Sequence, residues 1–173
     1  MKILIALSII FISATLYCRK QCDCLINQPA PLFRAPAVFP DGSVHDLALQ
    51  DYIGKKVVLY FYPMDQTPGC SAQARSFCQN AQLLQDNDIH VIGISCDSIN
   101  AHKKFQKKYD IWYPLVSDSR WKRTISKMYD AAGLWYSKRK TFIIDEQGIV
   151  IKVFSHVTID QQINDIIKSY QIK

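Results

Sequence analysis

Residues 55–63 read Lys55-Lys56-Val57-Val58-Leu59-Tyr60-Phe61-Tyr62-Pro63. A run this apolar, β-branched and aromatic, closed by a proline, predicts a central strand buried on both faces. A loop through Gly69 follows. Residues 70–86 then lack Gly and Pro and place Ala74, Phe77, Ala81 and Leu84 at helical spacing. Ile89-His90-Val91-Ile92-Gly93-Ile94-Ser95 reads as a second buried strand, and Asp97-Ser98 can cap a helix over 99–109. Trp112 to Val116 is a short third strand, and 120–130 suits a helix. Thr141–Asp145 and Ile149–Phe154 flank Glu146-Gln147-Gly148, the pattern of an antiparallel hairpin. Residues 159–171 finish as an amphipathic helix with Ile159, Ile163, Ile166, Ile167 and Tyr170 on one stripe. Upstream of the central run, Pro29, Pro31, Pro36 and Pro40 impose an extended lead-in, and Asp41-Gly42 marks a hairpin turn. This alternation predicts one α/β sandwich of parallel crossovers with an antiparallel edge.

The chain has 173 residues, 49% hydrophobic and 21% charged, which is enough apolar material for one ordinary domain and excludes disorder. Its net charge of +6 is scattered, without a basic block interleaved with aromatics, so nucleic-acid binding is not expected. At the N-terminus, Met1-Lys2 precedes an apolar run from Ile3 to Tyr17 and then Cys18-Arg19-Lys20. One cation before about fifteen apolar residues has the form of a secretory signal, shorter than the ~20 residues that span a bilayer. Residues 1–17 are therefore expected to export the chain to a periplasm or cell envelope, as a cleaved signal or as a membrane anchor. Ser13 and Ala14 offer a cleavage site, and Cys18 offers a lipidation site behind a bulky Tyr17. Membrane contact is expected through this segment alone. Residues 18–29 form a tail in which Cys22 and Cys24 are either incidental or a small redox or metal motif, and 30–173 form the domain.

Chemistry in open α/β sheets gathers at the carboxyl ends of strands, where loops feed helix N-termini. Here that place reads Tyr62-Pro63-Met64-Asp65-Gln66-Thr67-Pro68-Gly69-Cys70-Ser71. Cys70 is expected in the first turn of the next helix, where free backbone N–H groups and the positive dipole end favour thiolate over thiol. Gly69 permits close backbone approach, the two prolines stiffen the loop, and Thr67 can turn its hydroxyl toward the same pocket. The four histidines, His45, His90, His102 and His156, have no metal-ligand spacing and read as structural. No metal or other cofactor is expected. Neither a Cys-x-x-Cys nor a glycine-rich phosphate loop occurs.

The run Tyr60-Phe61-Tyr62-Pro63…Thr67-Pro68-Gly69-Cys70 resembles the active-site signature of peroxiredoxins, most closely their bacterioferritin-comigratory (PrxQ-like) branch. Three later blocks carry the same resemblance: Val91–Ser98 with His102-Lys103-Lys104-Phe105, Tyr113–Asp118, and Arg139-x-Thr141–Asp145. It covers roughly residues 30–155. The resemblance implies a thioredoxin-like fold, a mixed sheet flanked by helices, and reduction of hydrogen peroxide or organic hydroperoxides without metal or haem. It also implies that Cys70 is the peroxidatic thiolate, that Thr67 hydrogen-bonds thiolate and peroxide, and that Arg139 supplies a permanent positive charge. Pro63 would shield the thiolate from water. Thioredoxin or a related thiol would be the reductant, and the chain would act as a monomer or weak dimer.

The pattern breaks at three places. A resolving cysteine five residues after the thiolate is replaced by Arg75, one in the next helix by Gln106, and a glutamate three residues after the thiolate by Gln73. Cys78 and Cys96 remain as internal resolving candidates, beside a tail cysteine or an external thiol. Cys78 lies eight residues on, about 12 Å along a helix, so pairing requires unwinding. Cys96 ends the next strand, and neighbouring strands lie only ~4.8 Å apart. A disulfide-exchange protein and a redox-sensing binding domain without peroxide turnover are the competing readings.

Overall fold

The computed structural model describes residues 25–119 and 121–172. The leader, Cys18, Cys22 and Cys24 lie outside the described residues. The lead-in forms β1 (Arg34–Val38), and the Asp41-Gly42 turn returns it as β2 (Val44–Ala48). Gly42 takes φ 82°, and its amide closes the turn on the Phe39 carbonyl at 2.8 Å. The central run is β3 (Lys56–Phe61), followed by helix α1 (Pro68–Gln79) and a short α2 (Ala81–Asp86). β4 (Ile89–Ser95), α3 (Ile99–Tyr109), β5 (Leu115–Ser117) and α4 (Thr124–Met128) come next. The hairpin of β6 (Lys140–Ile144) and β7 (Val150–Phe154) and a final helix α5 (Gln162–Ser169) close the chain.

One seven-stranded sheet results, ordered β2-β1-β5-β4-β3-β6-β7. β3 is parallel to β4, and β4 to β5, as the crossovers require. The antiparallel strands are not confined to one edge. β6 pairs antiparallel directly with β3, and β1 pairs antiparallel with β5. The expected single helix over 70–86 is two. Asn80 (φ −108°, ψ 21°) leaves the helical region while its side-chain amide donates to the Ser76 carbonyl at 2.8 Å, the local competition that makes Asn a helix breaker. Residues 25–29, placed by sequence in the tail, join the sheet's rim. The Asn27 amide donates to the Val150 carbonyl at 2.8 Å, and Pro29 bridges Ile149.

Strand alternation splits the core into two layers. Val57, Leu59 and Phe61 face one layer with Ile92, Ile94, Ile125 and Phe142. Val58, Tyr60 and Tyr62 face the other, beneath α1, α3 and α5, with Cys70, Phe77, Phe105, Ile163 and Ile166. In that second layer the Tyr60, Phe77 and Tyr113 rings meet at 5.0–5.9 Å between centroids, and the two tyrosine hydroxyls share a hydrogen bond of 2.9 Å. Gly93 is required there, because a Cβ would lie 2.8 Å from Leu115 and 2.9 Å from the Tyr60 hydroxyl.

Candidate active site

Residues 62–67 carry the chain from the end of β3 into α1. Gln66 takes the left-handed conformation (φ 59°), and Thr67 caps the helix in extended backbone. Pro68 occupies the first helical position, where its missing N–H is not needed. The first helical hydrogen bond runs from the Ser71 amide to the Thr67 carbonyl at 2.8 Å. The Gly69 and Cys70 amides thus point out of the helix end without a partner among the described residues. Cys70, third in the helix, is 2% exposed.

Arg139 reaches this helix end from far along the chain. β6 runs antiparallel to β3 and pairs Lys140 with Phe61, so the residue just before β6 arrives where β3 ends. Arg139 Nη2 donates to Cys70 Sγ at 3.2 Å. Its Nη1 donates to Gln73 Oε1. Gln73 is fully buried on α1, one turn beyond Cys70, and its Nε2 donates to Gln162 Oε1 on α5 at 3.0 Å. A Cβ on Gly69 would lie 3.3 Å from Arg139 Nη2, so the glycine leaves room for the guanidinium.

The Thr67 hydroxyl donates to the Met64 carbonyl at 3.0 Å rather than to Cys70. Half-buried Pro63 opens the same loop. Neither internal cysteine forms part of this cluster. Cys78 Sγ, near the far end of α1, lies 3.8 Å from the Asp110 carbonyl, and burial raises its thiol pKa. Cys96 is buried with its Sγ 3.6 Å from the Ser137 hydroxyl. Burial raises its thiol pKa too, with Ser137 opposing. Ile92 and Ile94, which precede Cys96 at strand spacing, face the layer opposite Cys70, so strand proximity alone does not bring the two sulfurs together.

The sequence thus located Cys70, Arg139, Thr67 and Pro63, and the fold gathers the first two into direct contact. Gln73 was legible only as a departure from a familiar pattern. Gln162 carried no signal, since its partner is 89 residues away. Cys70 at a helix start under a guanidinium donor is suited to nucleophilic attack that leaves negative charge on a neighbouring oxygen.

The AhpC/TSA family model matches residues 26–153. A putative peroxiredoxin bcp of Coxiella burnetii is 36% identical over 150 residues, covering 82% of this chain and 95% of that protein. Peroxiredoxin Bcp of Bacillus subtilis is 33% identical over 132 residues, covering 70% and 81% respectively. Among solved structures, the reduced 2-Cys peroxiredoxin of Plasmodium vivax superposes with a TM-score of 0.75 at 29% identity, covering 85% of this chain and 98% of that one. These likenesses lend nothing to the disulfide-exchange and binding-domain readings. The chain belongs to the AhpC/TSA family and, within it, to the Bcp/PrxQ branch of the peroxiredoxins, the thiol-dependent peroxidases.

Proposed function

We propose that Cys70 is the peroxidatic residue of this thiol-dependent peroxidase and that Arg139, Thr67 and Pro63 complete its site. The observation that carries this reading is the 3.2 Å bond from Arg139 Nη2 to Cys70 Sγ at the first turn of α1. The Cys70 thiolate attacks the terminal oxygen of a hydroperoxide. The S–O bond forms as the O–O bond breaks, leaving a cysteine sulfenic acid and an alkoxide or hydroxide that takes up a proton. The guanidinium, permanently charged, stabilises negative charge on the departing oxygen. The Thr67 proton is committed to Met64, so its oxygen is left to accept from the peroxide O–H and to orient it. Pro63 limits water at the mouth of the loop.

A thiol, thioredoxin or a related donor, then reduces the sulfenic acid, with release of water and formation of a disulfide. Either internal candidate requires movement: α1 must unwind for Cys78, and the end of β4 must rearrange for Cys96. A tail cysteine or an external thiol is the alternative partner for the sulfenic acid. Export through residues 1–17 would place this antioxidant activity in a periplasm or envelope; the support is the Lys2 and Ile3–Tyr17 pattern.

Stopped-flow consumption of hydrogen peroxide by the reduced protein is the decisive measurement. Cys70→Ser is expected to abolish it, and a Cys70→Ser variant with full activity overturns the reading. Peptide mapping after one equivalent of peroxide identifies the resolving thiol and the mature N-terminus together.

A further inference from the structure

The loop that carries Pro63 and Thr67 rests on buried polar side chains that the chemistry above does not use. His102 on α3 is wholly buried. Its Nε2 lies 3.2 Å from the Val116 carbonyl, and its Nδ1 lies 2.9 Å from Asp65 Oδ2. A carbonyl can only accept, so Nε2 carries a proton. A second proton lies between Nδ1 and the Asp65 carboxyl, because two bare lone pairs would otherwise face each other at that distance. The other Asp65 oxygen accepts from the Tyr62 hydroxyl at 2.8 Å. Burial first, and then the Asp65 charge, raise the Tyr62 phenol pKa well above its ordinary value, so this donor keeps its proton.

The backbone of Asp65 is held as well. Its amide donates at 2.8 Å to Asp97 Oδ2, which also accepts from Ser95 Oγ at 2.7 Å. Ser117 Oγ in turn donates to the Asp97 carbonyl at 2.6 Å. Asp65 is thereby tied to the ends of β3 and β4 and to α3 at once. It stands two residues from Pro63 and two from Thr67, and next to Met64, whose carbonyl holds the Thr67 hydroxyl. A buried polar network of this kind is a poor source of stability, since apolar residues of equal volume do as well, but when fully satisfied it fixes one geometry.

We propose that His102, acting through Asp65, is the positioning residue of the peroxidatic loop. The shared proton holds the 63–67 turn in the one arrangement in which the Thr67 oxygen faces the incoming peroxide. The inference rests on Cys70 being the peroxidatic residue.

The test compares two reactions of Cys70 in the reduced full-length chain. Alkylation by iodoacetamide needs only the thiolate, whereas reaction with hydrogen peroxide needs the aligned loop. His102→Gln and Asp65→Asn are each expected to slow the peroxide reaction by about ten- to a hundredfold while alkylation stays within about twofold of wild type. The double variant is expected to be no slower than the slower single one, since both act through one contact. Tyr62→Phe keeps the core volume and removes one Asp65 donor. It is expected to give the same split at about threefold, which keeps the proposal testable should His102→Gln not fold. Folded variants with the wild-type peroxide rate overturn the proposal, as does a fall in both reactions together. Full activity in Cys70→Ser would instead sink the reading beneath it, so the two failures are distinguishable.

Discussion

Gln73 and Gln162, 89 residues apart, form a buried amide pair in which Gln73 Nε2 donates to Gln162 Oε1 at 3.0 Å and Gln162 Nε2 donates back to the Gln73 carbonyl at 3.4 Å. The remaining Gln73 oxygen accepts from Arg139 Nη1. The last helix of the chain is thus connected to the guanidinium that touches Cys70. Gln73→Leu removes the acceptor for Arg139 Nη1 and the donor to Gln162 Oε1. It is expected to cost about 1–3 kcal/mol in urea unfolding and to slow the peroxide reaction roughly tenfold. Gln73→Glu is expected to stay within about threefold of wild type, because a carboxylate accepts from Arg139 and the Gln162 amide can turn to donate to it. A Glu variant as slow as the Leu variant would contradict this.

Arg139→Met removes the donor to Cys70 Sγ without disturbing a strand, since Arg139 precedes β6. A loss of about 10²–10³ in the peroxide rate constant is expected, with the melting temperature nearly unchanged. Arg139→Lys is expected to recover only part of it. A single ammonium cannot present the fork that meets Cys70 and Gln73 together.

Gly69→Ala separates activity from stability. The new Cβ lies 3.3 Å from Arg139 Nη2, so the guanidinium must give way by a few tenths of an ångström. A severalfold slower peroxide reaction is expected, together with a gain of about 0.5–1 kcal/mol in urea unfolding from replacing a helical glycine. Unchanged kinetics would mean that the guanidinium has slack.

Burial raises the Cys78 and Cys96 thiol pKa values, so both are protonated at neutral pH and become nucleophiles only as the pH rises beyond the ordinary thiol range, about 8.5. Cys70, whose Sγ accepts from Arg139 Nη2, is expected to be the one of the three described cysteines that iodoacetamide modifies at about pH 7. Half-buried Cys78 follows at higher pH, and buried Cys96, with its Sγ against the Ser137 hydroxyl, comes last. Peptide mapping by mass spectrometry reads the order, and early labelling of Cys96 at neutral pH would break it.

Tyr60, Tyr62 and Tyr113 are all buried with phenol pKa values raised above the ordinary 10, chiefly by burial. Below about pH 10 both the folded and unfolded chains keep these protons, and stability is unaffected by them. Above it the unfolded chain releases protons that the folded chain retains, so stability falls as pH rises, by up to about 1.4 kcal/mol per pH unit for each tyrosine. Urea unfolding at about pH 8 and pH 11 should show the drop, and equal midpoints would refute it.

Local chemistry made much of this protein readable in advance. The runs at 56–61 and 89–95 are strands because their residues are apolar on both sides, whatever lies beside them. Ser98 caps α3 by accepting from the Ala101 amide at 3.3 Å, three residues away. Cys70 falls at a helix start because Thr67-Pro68 begins one. Such features depend on neighbours within a few positions, and the amino-acid order states those outright.

Sheet order and its consequences were decided elsewhere. That β6 lies beside β3, and not at an edge away from it, depends on which pairing best buries both layers of the core, a comparison between distant segments that no local window contains. The choice carries Arg139 to Cys70, just as the packing of α5 carries Gln162 to Gln73 and that of α3 carries His102 to Asp65. The amino-acid sequence by itself determined which residues could do chemistry. Only the folded chain determined which of them meet, because a hydrogen bond a few ångströms long is set by the position of whole strands and helices.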